Sequence, residues 1–257
     1  MKKINPNILH DERFPRSNKY DPVWIFNNEG GPHPLWLAEY LSLSFDFKPG
    51  MRVLDLACGR GITSAFLARE FGVQVYAVDF DEWEGFCTPE LRWENAAKNG
   101  VEDLVIPIKA DARALPFAYS FFDAVFCVNS FYYFGLEDSF LEYILKFLRP
   151  NGKIGMIING YMKEITDGVP AHILDFLGDE ELWTWKSLPW YRNHWEKTGL
   201  VTIDTANVMP DGNDLLIKYE LASNEYYNIA PEDSEVDIYI KDNGEYMAFI
   251  RMVGTKT

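Results

Sequence analysis

An α/β fold with a doubly wound, mostly parallel sheet is predicted by three stretches of this chain. Residues 52–61 read R-V-L-D-L-A-C-G-R-G, an apolar run that enters a glycine turn. A helix is expected from about Ile62 to Phe71, and V-Y-A-V-D at 75–79 is a second apolar run that ends in an acid. Residues 121–128, F-F-D-A-V-F-C-V, complete the set. Their apolar run is what a parallel strand covered on both faces requires.

The turn carries the first functional signal. Gly59 and Gly61 let the backbone approach a ligand with no Cβ in the way. The helix that follows directs its free N–H groups and positive dipole end at the same place. Asp79, at the tip of the next strand, stands where an acid accepts hydrogen bonds from two ribose hydroxyls. Together these predict an adenosine-containing cofactor. Nicotinamide and flavin cofactors use such turns too, but the register here reads Gly59, Gly61, Ser64, so the third glycine of G-x-G-x-x-G is missing. Asp55 also sits inside the turn motif, where a dinucleotide site is apolar and leaves room for pyrophosphate. No phosphate-cradling G-x-x-x-x-G-K-[ST] occurs.

The pattern D-x-x-x-G-x-G, from Asp55 through Gly59 to Gly61, resembles the first motif of the class I S-adenosylmethionine-dependent methyltransferases. The resemblance implies that Asp55, Ala57, Cys58, Gly59 and Gly61 border S-adenosylmethionine, with Asp79 on its ribose and Phe80 against adenine. Residues 105–117, V-I-P-I-K-A-D-A-R-A-L-P-F, are similar to the family's third strand and the acid after it. That similarity assigns the adenine amino group to Asp111 and the ring to the Ala112 N–H. Asn129 and Ser130, after the fourth strand, fall under the methionine part of the cofactor. F-L-E-Y-I-L-K-F-L-R-P-N-G-K-I-G-M-I-I at 140–158 resembles the family's next helix, turn and fifth strand. Two departures stand out: Asn151 replaces the first glycine of that turn, and Ala57 stands where many members carry glycine. Asn visits left-handed conformations readily. V-T-I-D-T-A-N-V at 201–208 and Y-M-A-F-I-R-M-V-G-T at 246–255 resemble the pair that closes the methyltransferase sheet. The implied architecture is a seven-stranded, Rossmann-like sheet with the last strand antiparallel. The resemblance spans about 50–160.

Outside that core, R-F-P-R-S-N-K-Y-D-P-V-W, H-W-E-K-T-G-L-V and F-I-R-M-V are similar to a bacterial subgroup of small methyltransferases. Tyr20 and Asp21 are also similar to a Y-D element of the cyclopropane fatty acid synthases. This implies that Tyr20 caps the methionine end of the cofactor. The arm from Tyr20 to Trp24 is expected to fold over the site, and the cofactor half to fold without residues 1–28.

Length and composition fit a single methyltransferase domain over 1–257. Residues 1–50 form an N-terminal arm and helix, 51–160 the cofactor core, and 161–257 the aromatic-rich substrate-side helices and closing strands. The start lacks an apolar signal region, and the apolar runs fall short of a membrane span, so a cytoplasmic location is expected. The three cysteines are widely spaced and support neither a disulfide framework nor a metal site. Lysine and arginine total 24 against 39 acids, a formal charge of −15. Polyanion binders neutralise phosphates with basic side chains, so neither nucleic acid nor an anionic membrane is an expected partner. The field favours a neutral or cationic small-molecule acceptor.

Methyl transfer asks little of the protein. The donor sulfonium is already activated, and alignment supplies much of the rate; a base is needed only where the acceptor must lose a proton. Candidates near the acceptor are Tyr132 and Tyr133 after the fourth strand, His33 in G-G-P-H-P, and His172 in V-P-A-H-I-L. His194 reads as structural. Trp183, Trp185, Trp190 and Trp195 form either an apolar lid or packing against the sheet. Trp83, in the acidic loop after Phe80, serves as lid or loop packing. A nicotinamide-dependent oxidoreductase and a non-catalytic protein that binds S-adenosylmethionine are the alternative readings.

Overall fold

A computed structural model of the chain describes residues 4–80, 86–166 and 168–257; Trp83 lies outside them. The elements run α1 (Pro22–Asn28), α2 (Pro34–Ser42), β1 (Arg52–Leu56), α3 (Ile62–Phe71), β2 (Gln74–Asp79), α4 (Pro89–Lys98), β3 (Val105–Lys109), β4 (Phe122–Val128) and α5 (Asp138–Leu145). They continue with β5 (Leu148–Tyr161), α6 (Ala171–Leu174), α7 (Asp179–Thr184), α8 (Leu188–Glu196), β6 (Val201–Val208), α9 (Gly212–Tyr227), α10 (Val236–Asp242) and β7 (Met247–Lys256). The seven strands lie in the order β3-β2-β1-β4-β5-β7-β6. Pairings from β3 to β5 are parallel, and β7 is antiparallel to both β5 and β6. This is the predicted sheet. The order reverses between β1 and β4, so the carboxyl ends of β1, β2 and β4 flank the crevice where open α/β sheets bind ligands.

Local chemistry accounts for the central elements. Val53, Leu54 and Leu56 of β1 and Val125, Phe126 and Cys127 of β4 are buried, as central strands must be. Helix α3 buries Ile62, Ala65, Phe66 and Ala68. It ends where Gly72 adopts φ 64 and returns its N–H to Ala68 O at 2.9 Å. A left-handed cap of this kind favours glycine. Helices α1, α2, α4 and α8 each carry proline in their first turn, where a missing N–H costs nothing. Asn151 adopts φ 62 in the turn before the body of β5, in keeping with its tolerance of that conformation.

The N-terminal arm departs from expectation. Phe14, Tyr20, Trp24, Ile25 and Phe26 are buried members of the main core, so the arm is part of the packed body. Tyr20 stacks on Trp24 with centroids 5.6 Å apart and leans on Phe66 at 5.9 Å. The Arg69 guanidinium lies 5.0 Å from the ring. Phe66 and Arg69 are the fifth and eighth residues of α3, whereas the cofactor turn meets its first residue. A helix rises about 1.5 Å per residue, so Tyr20 stands more than a turn below the site and is a core tyrosine. The tryptophans largely follow the packing reading, with Trp185 and Trp195 buried and Trp183 at the surface. No helix among the described residues is long and apolar enough to cross a membrane.

Candidate functional site

The glycine turn is held by two bonds to the end of β2 and one within itself. The Gly59 N–H donates to Asp79 Oδ2 at 2.8 Å, joining the turn to the tip of β2. Cys58 N donates to Val78 O at 3.1 Å, and Gly61 N to Cys58 O at 2.9 Å. Gly59 and Gly61 take φ values of 55 and 76. A Cβ on Gly59 would enter open space, while one on Gly61 would crowd the Arg92 Cβ at 3.2 Å. The first glycine thus leaves a cradle open, and the second allows α4 to come close.

Ala57 also sits at φ 55. A left-handed residue with a Cβ costs on the order of 1–2 kcal/mol, so Ala57→Gly is expected to raise the unfolding midpoint in a denaturant titration. An unchanged or lower midpoint would show that the surroundings already relieve the strain.

Asp55 lies beneath the turn, fully buried, and its Oδ2 accepts hydrogen bonds from the Thr63 and Ser64 hydroxyls at 2.6 and 2.5 Å. Oδ1 is buried with no partner among the described residues. Burial pushes the carboxyl up to about 6, against the two hydroxyls that favour its charged form. Burial also pushes the Cys58 thiol up, so it has no thiolate character. Asp111 accepts from the Arg113 backbone and side chain through Oδ1, at 2.8 and 3.0 Å. Asn129, at φ 55, closes β4 by donating its N–H to Ile157 O at 2.7 Å. Its Oδ1 accepts from Asn159 N at 3.3 Å, and the Ser130 hydroxyl lies 3.4 Å from Ala57 O. Phe80 presents an exposed ring next to Asp79. The structure therefore brings Asp55, Ala57, Cys58, Gly59, Gly61, Asp79, Phe80, Asn129 and Ser130 to one edge of the sheet. Asp111 and Ala112 follow β3 along the same edge.

Among the acceptor-side candidates, His33 is misplaced for catalysis. It caps α2, with Nδ1 accepting from Trp36 N at 3.1 Å, and stacks on Trp36 at 4.0 Å. Burial depresses its pKa to about 3, so it is a neutral structural cap. Tyr132 is buried and Tyr133 half-exposed in the turn after Asn129. His172 Nε2 lies 3.1 Å from Oδ1 of the buried Asp242. The other carboxylate oxygen of Asp242 accepts from Tyr246 N and Met247 N at 3.3 and 3.0 Å. His194 is buried in α8 against Trp190 at 4.6 Å, as a structural residue.

Sequence reading missed three groups. Arg92 is fully buried and donates to Gly59 O at 2.9 Å, Ile108 O at 3.1 Å and Cys87 O. It ties the glycine turn to the end of β3. A signal was present, since Arg92, Asn95 and Ala96 share one helical face. Arg60, inside the turn, reaches Asn27 O at 2.7 Å and Phe86 O at 2.8 Å. Glu29 follows α1, and burial together with the Glu220 carboxyl pushes it up to about 9. The segment around it is seated on the cofactor elements. A Cβ on Gly31 would fall 2.8 Å from Asn129 Nδ2, and the Asn28 side chain accepts from Asn95 at 2.9 Å.

A strand–glycine turn–helix, an acid at the next strand tip and a β7 inserted beside β5 define a class I methyltransferase fold. Residues 53–152 match the family described as methyltransferase domain, and the sheet has the order of the class I methyltransferase fold. It is 27% identical over 164 residues to methyltransferase GfsG of Streptomyces halstedii, covering 63% of this chain and 55% of that protein. The ubiquinone/menaquinone biosynthesis C-methyltransferase UbiE of Vibrio campbellii is 28% identical over 171 residues, 63% of this chain and 62% of that one. A glycine/sarcosine/dimethylglycine N-methyltransferase of Actinopolyspora halophila is 28% identical over 109 residues, 42% of this chain and 19% of its own. The chain thus spans less than two thirds of the length of these relatives. In fold it is similar to an S-adenosylmethionine-dependent methyltransferase from Thiobacillus denitrificans solved with S-adenosylhomocysteine. The TM-score there is 0.64 at 19% identity, over 100% of both chains.

Proposed function

We propose that this chain transfers a methyl group from S-adenosylmethionine to a small-molecule acceptor by in-line displacement. The bond from Gly59 to Asp79, beside a cradle that a Cβ at Gly59 would enter, supports this reading most directly. When bound, S-adenosylmethionine supplies the methyl on a sulfonium that leaves as S-adenosylhomocysteine. Asp79 takes the ribose hydroxyls, Phe80 and Ala112 border the adenine, and Asp111 accepts its amino group. The turn from Asp55 to Gly61, with Asn129 and Ser130, holds the methionine end. The formal charge of −15 favours a neutral or cationic acceptor over a polyanion.

S-Adenosylhomocysteine is expected to raise the melting temperature of the protein. A ligand that binds only the folded state, at about 100 times its Kd, adds about 2.7 kcal/mol. For a chain of this size that corresponds to roughly 5–10 °C. A shift with NADH and none with saturating S-adenosylhomocysteine would reverse the assignment. Release of S-adenosylhomocysteine during turnover with an acceptor separates an enzyme from a protein that only binds the cofactor.

A further inference from the structure

We propose that Asn95 and Arg60 are positioning residues for the cofactor: they latch α1 to the glycine turn, so that S-adenosylmethionine binding and the order of α1 are coupled. This rests on the methyltransferase reading above and deepens it.

The turn has to be held from outside. Gly59 and Gly61, on either side of Arg60, take positive φ, and glycine has more backbone freedom to lose than any other residue. The peptide planes of such a turn are set by the bonds that their N–H and C=O groups make. Asp79 holds the Gly59 N–H, and Arg92 holds the Gly59 carbonyl. The Arg60 carbonyl goes to a third residue, Asn95 on α4, whose Nδ2 donates to it at 2.9 Å.

Asn95 is also where α1 is attached. It is buried, its Oδ1 accepts from Trp24 Nε1 at 2.8 Å, and its Nδ2 donates to Asn28 Oδ1 at 2.9 Å. An indole N–H only donates and a peptide carbonyl only accepts, so the amide fits these partners one way round. Trp24 and Asn28 are i and i+4 in α1 and share a face. Arg60 completes the latch from the other side. Its Nη1 donates to Asn27 O at 2.7 Å, and its Nε to Phe86 O at 2.8 Å. The Asn27 carbonyl belongs to the last turn of α1, where carbonyls lack a partner within the helix.

Beyond α1 the chain meets the other end of the crevice. A Cβ on Gly31 would fall 2.8 Å from Asn129 Nδ2, at the tip of β4. The segment from Trp24 to Gly31 thus runs between the glycine turn and the residue proposed for the methionine end. A cofactor that fixes the turn in one conformation also fixes the bonds that hold α1. By linkage, loosening α1 from the turn weakens the cofactor.

The test compares wild type, Arg60→Met, Asn95→Leu and Phe14→Leu. Calorimetry gives the affinity for S-adenosylhomocysteine, and hydrogen exchange is followed at the α1 amides with and without it. The Phe14 ring stacks on Trp36 at 5.6 Å within the core, so its variant separates lost stability from a lost latch. In the wild type, S-adenosylhomocysteine is expected to slow α1 exchange several-fold. Arg60→Met and Asn95→Leu are expected to lose that slowing and to bind roughly tenfold more weakly, while Phe14→Leu keeps wild-type affinity. Arg60 is only half-buried, so Arg60→Met reads the latch even where Asn95→Leu fails to fold. Wild-type α1 exchange that ignores bound S-adenosylhomocysteine, wild-type affinity in Arg60→Met, or an equal loss in Phe14→Leu overturns the proposal. Failure of S-adenosylhomocysteine to bind the wild type is a separate result and overturns the methyltransferase reading itself.

Discussion

S-Adenosylhomocysteine will bind the Asp79→Ala variant roughly ten- to a hundredfold more weakly than the wild type, the effect of removing hydrogen bonds to a charged group worth about 1.5–3 kcal/mol. Two losses combine. The carboxylate is the proposed acceptor for the ribose hydroxyls, and it already receives the Gly59 N–H at 2.8 Å, which sets the turn. The variant therefore loses a ligand contact and some of the order of the cradle. Asp79→Asn keeps a carbonyl oxygen for Gly59 and is expected to fall between wild type and alanine. Global stability will change little, because Asp79 is only partly buried at the strand tip. Calorimetric titration of both variants checks this. Wild-type affinity in Asp79→Ala would remove Asp79 from the ribose and with it the site geometry proposed here.

The parts of the molecule legible from sequence are those built from local chain. The β1–turn–α3–β2 unit lies within residues 52–79, and each of its parts follows from neighbouring residues: apolar strands, glycines with positive φ, a strand-tip acid. The same holds for β4 and for the turn at Asn151. What sequence could not give is the packing of the N-terminal arm, because its contacts join distant segments. Asn27 meets Arg60, Trp24 meets Asn95, and Phe26 meets Tyr226. No local pattern encodes those pairs. Tyr20 and His33 show the same limit in another way. A two-residue likeness and a histidine in a turn suggested ligand contacts, but both side chains are in the core, where an aromatic ring has the same local sequence whether it meets a ligand or Phe66. Arg92 was hidden for a third reason. A buried arginine is rare enough that its place in a charged helix segment reads as surface.

The packing of the arm leads to the largest expected effect on stability. Deleting residues 1–28 will leave a protein that does not fold cooperatively, contrary to the detachable arm expected from sequence. The deletion removes Phe14, Tyr20, Trp24, Ile25 and Phe26 from the main core, and loss of a single large buried aromatic costs about 3–5 kcal/mol. It also strands two acids. The buried Glu39 carboxylate receives Ser17 N and Ser17 Oγ at 2.7 Å each and Arg16 N at 3.1 Å. The Glu70 side chain, 5% exposed, pairs with Lys19 at 2.6 Å and Arg16 at 3.5 Å. The deletion removes these donors from both carboxylates. These losses together exceed the 5–15 kcal/mol by which domains are usually stable. Trp24→Ala offers a graded version, since the ring is buried and its Nε1 donates to Asn95 at 2.8 Å. That variant is expected to remain folded but to lose about 3–5 kcal/mol in a denaturant titration, with S-adenosylhomocysteine affinity lowered less than in Asp79→Ala. Near-UV circular dichroism and the sharpness of the unfolding transition report on the deletion. A truncated protein that unfolds cooperatively at a near wild-type midpoint would show that the arm is a flap after all, and that the core closes without it.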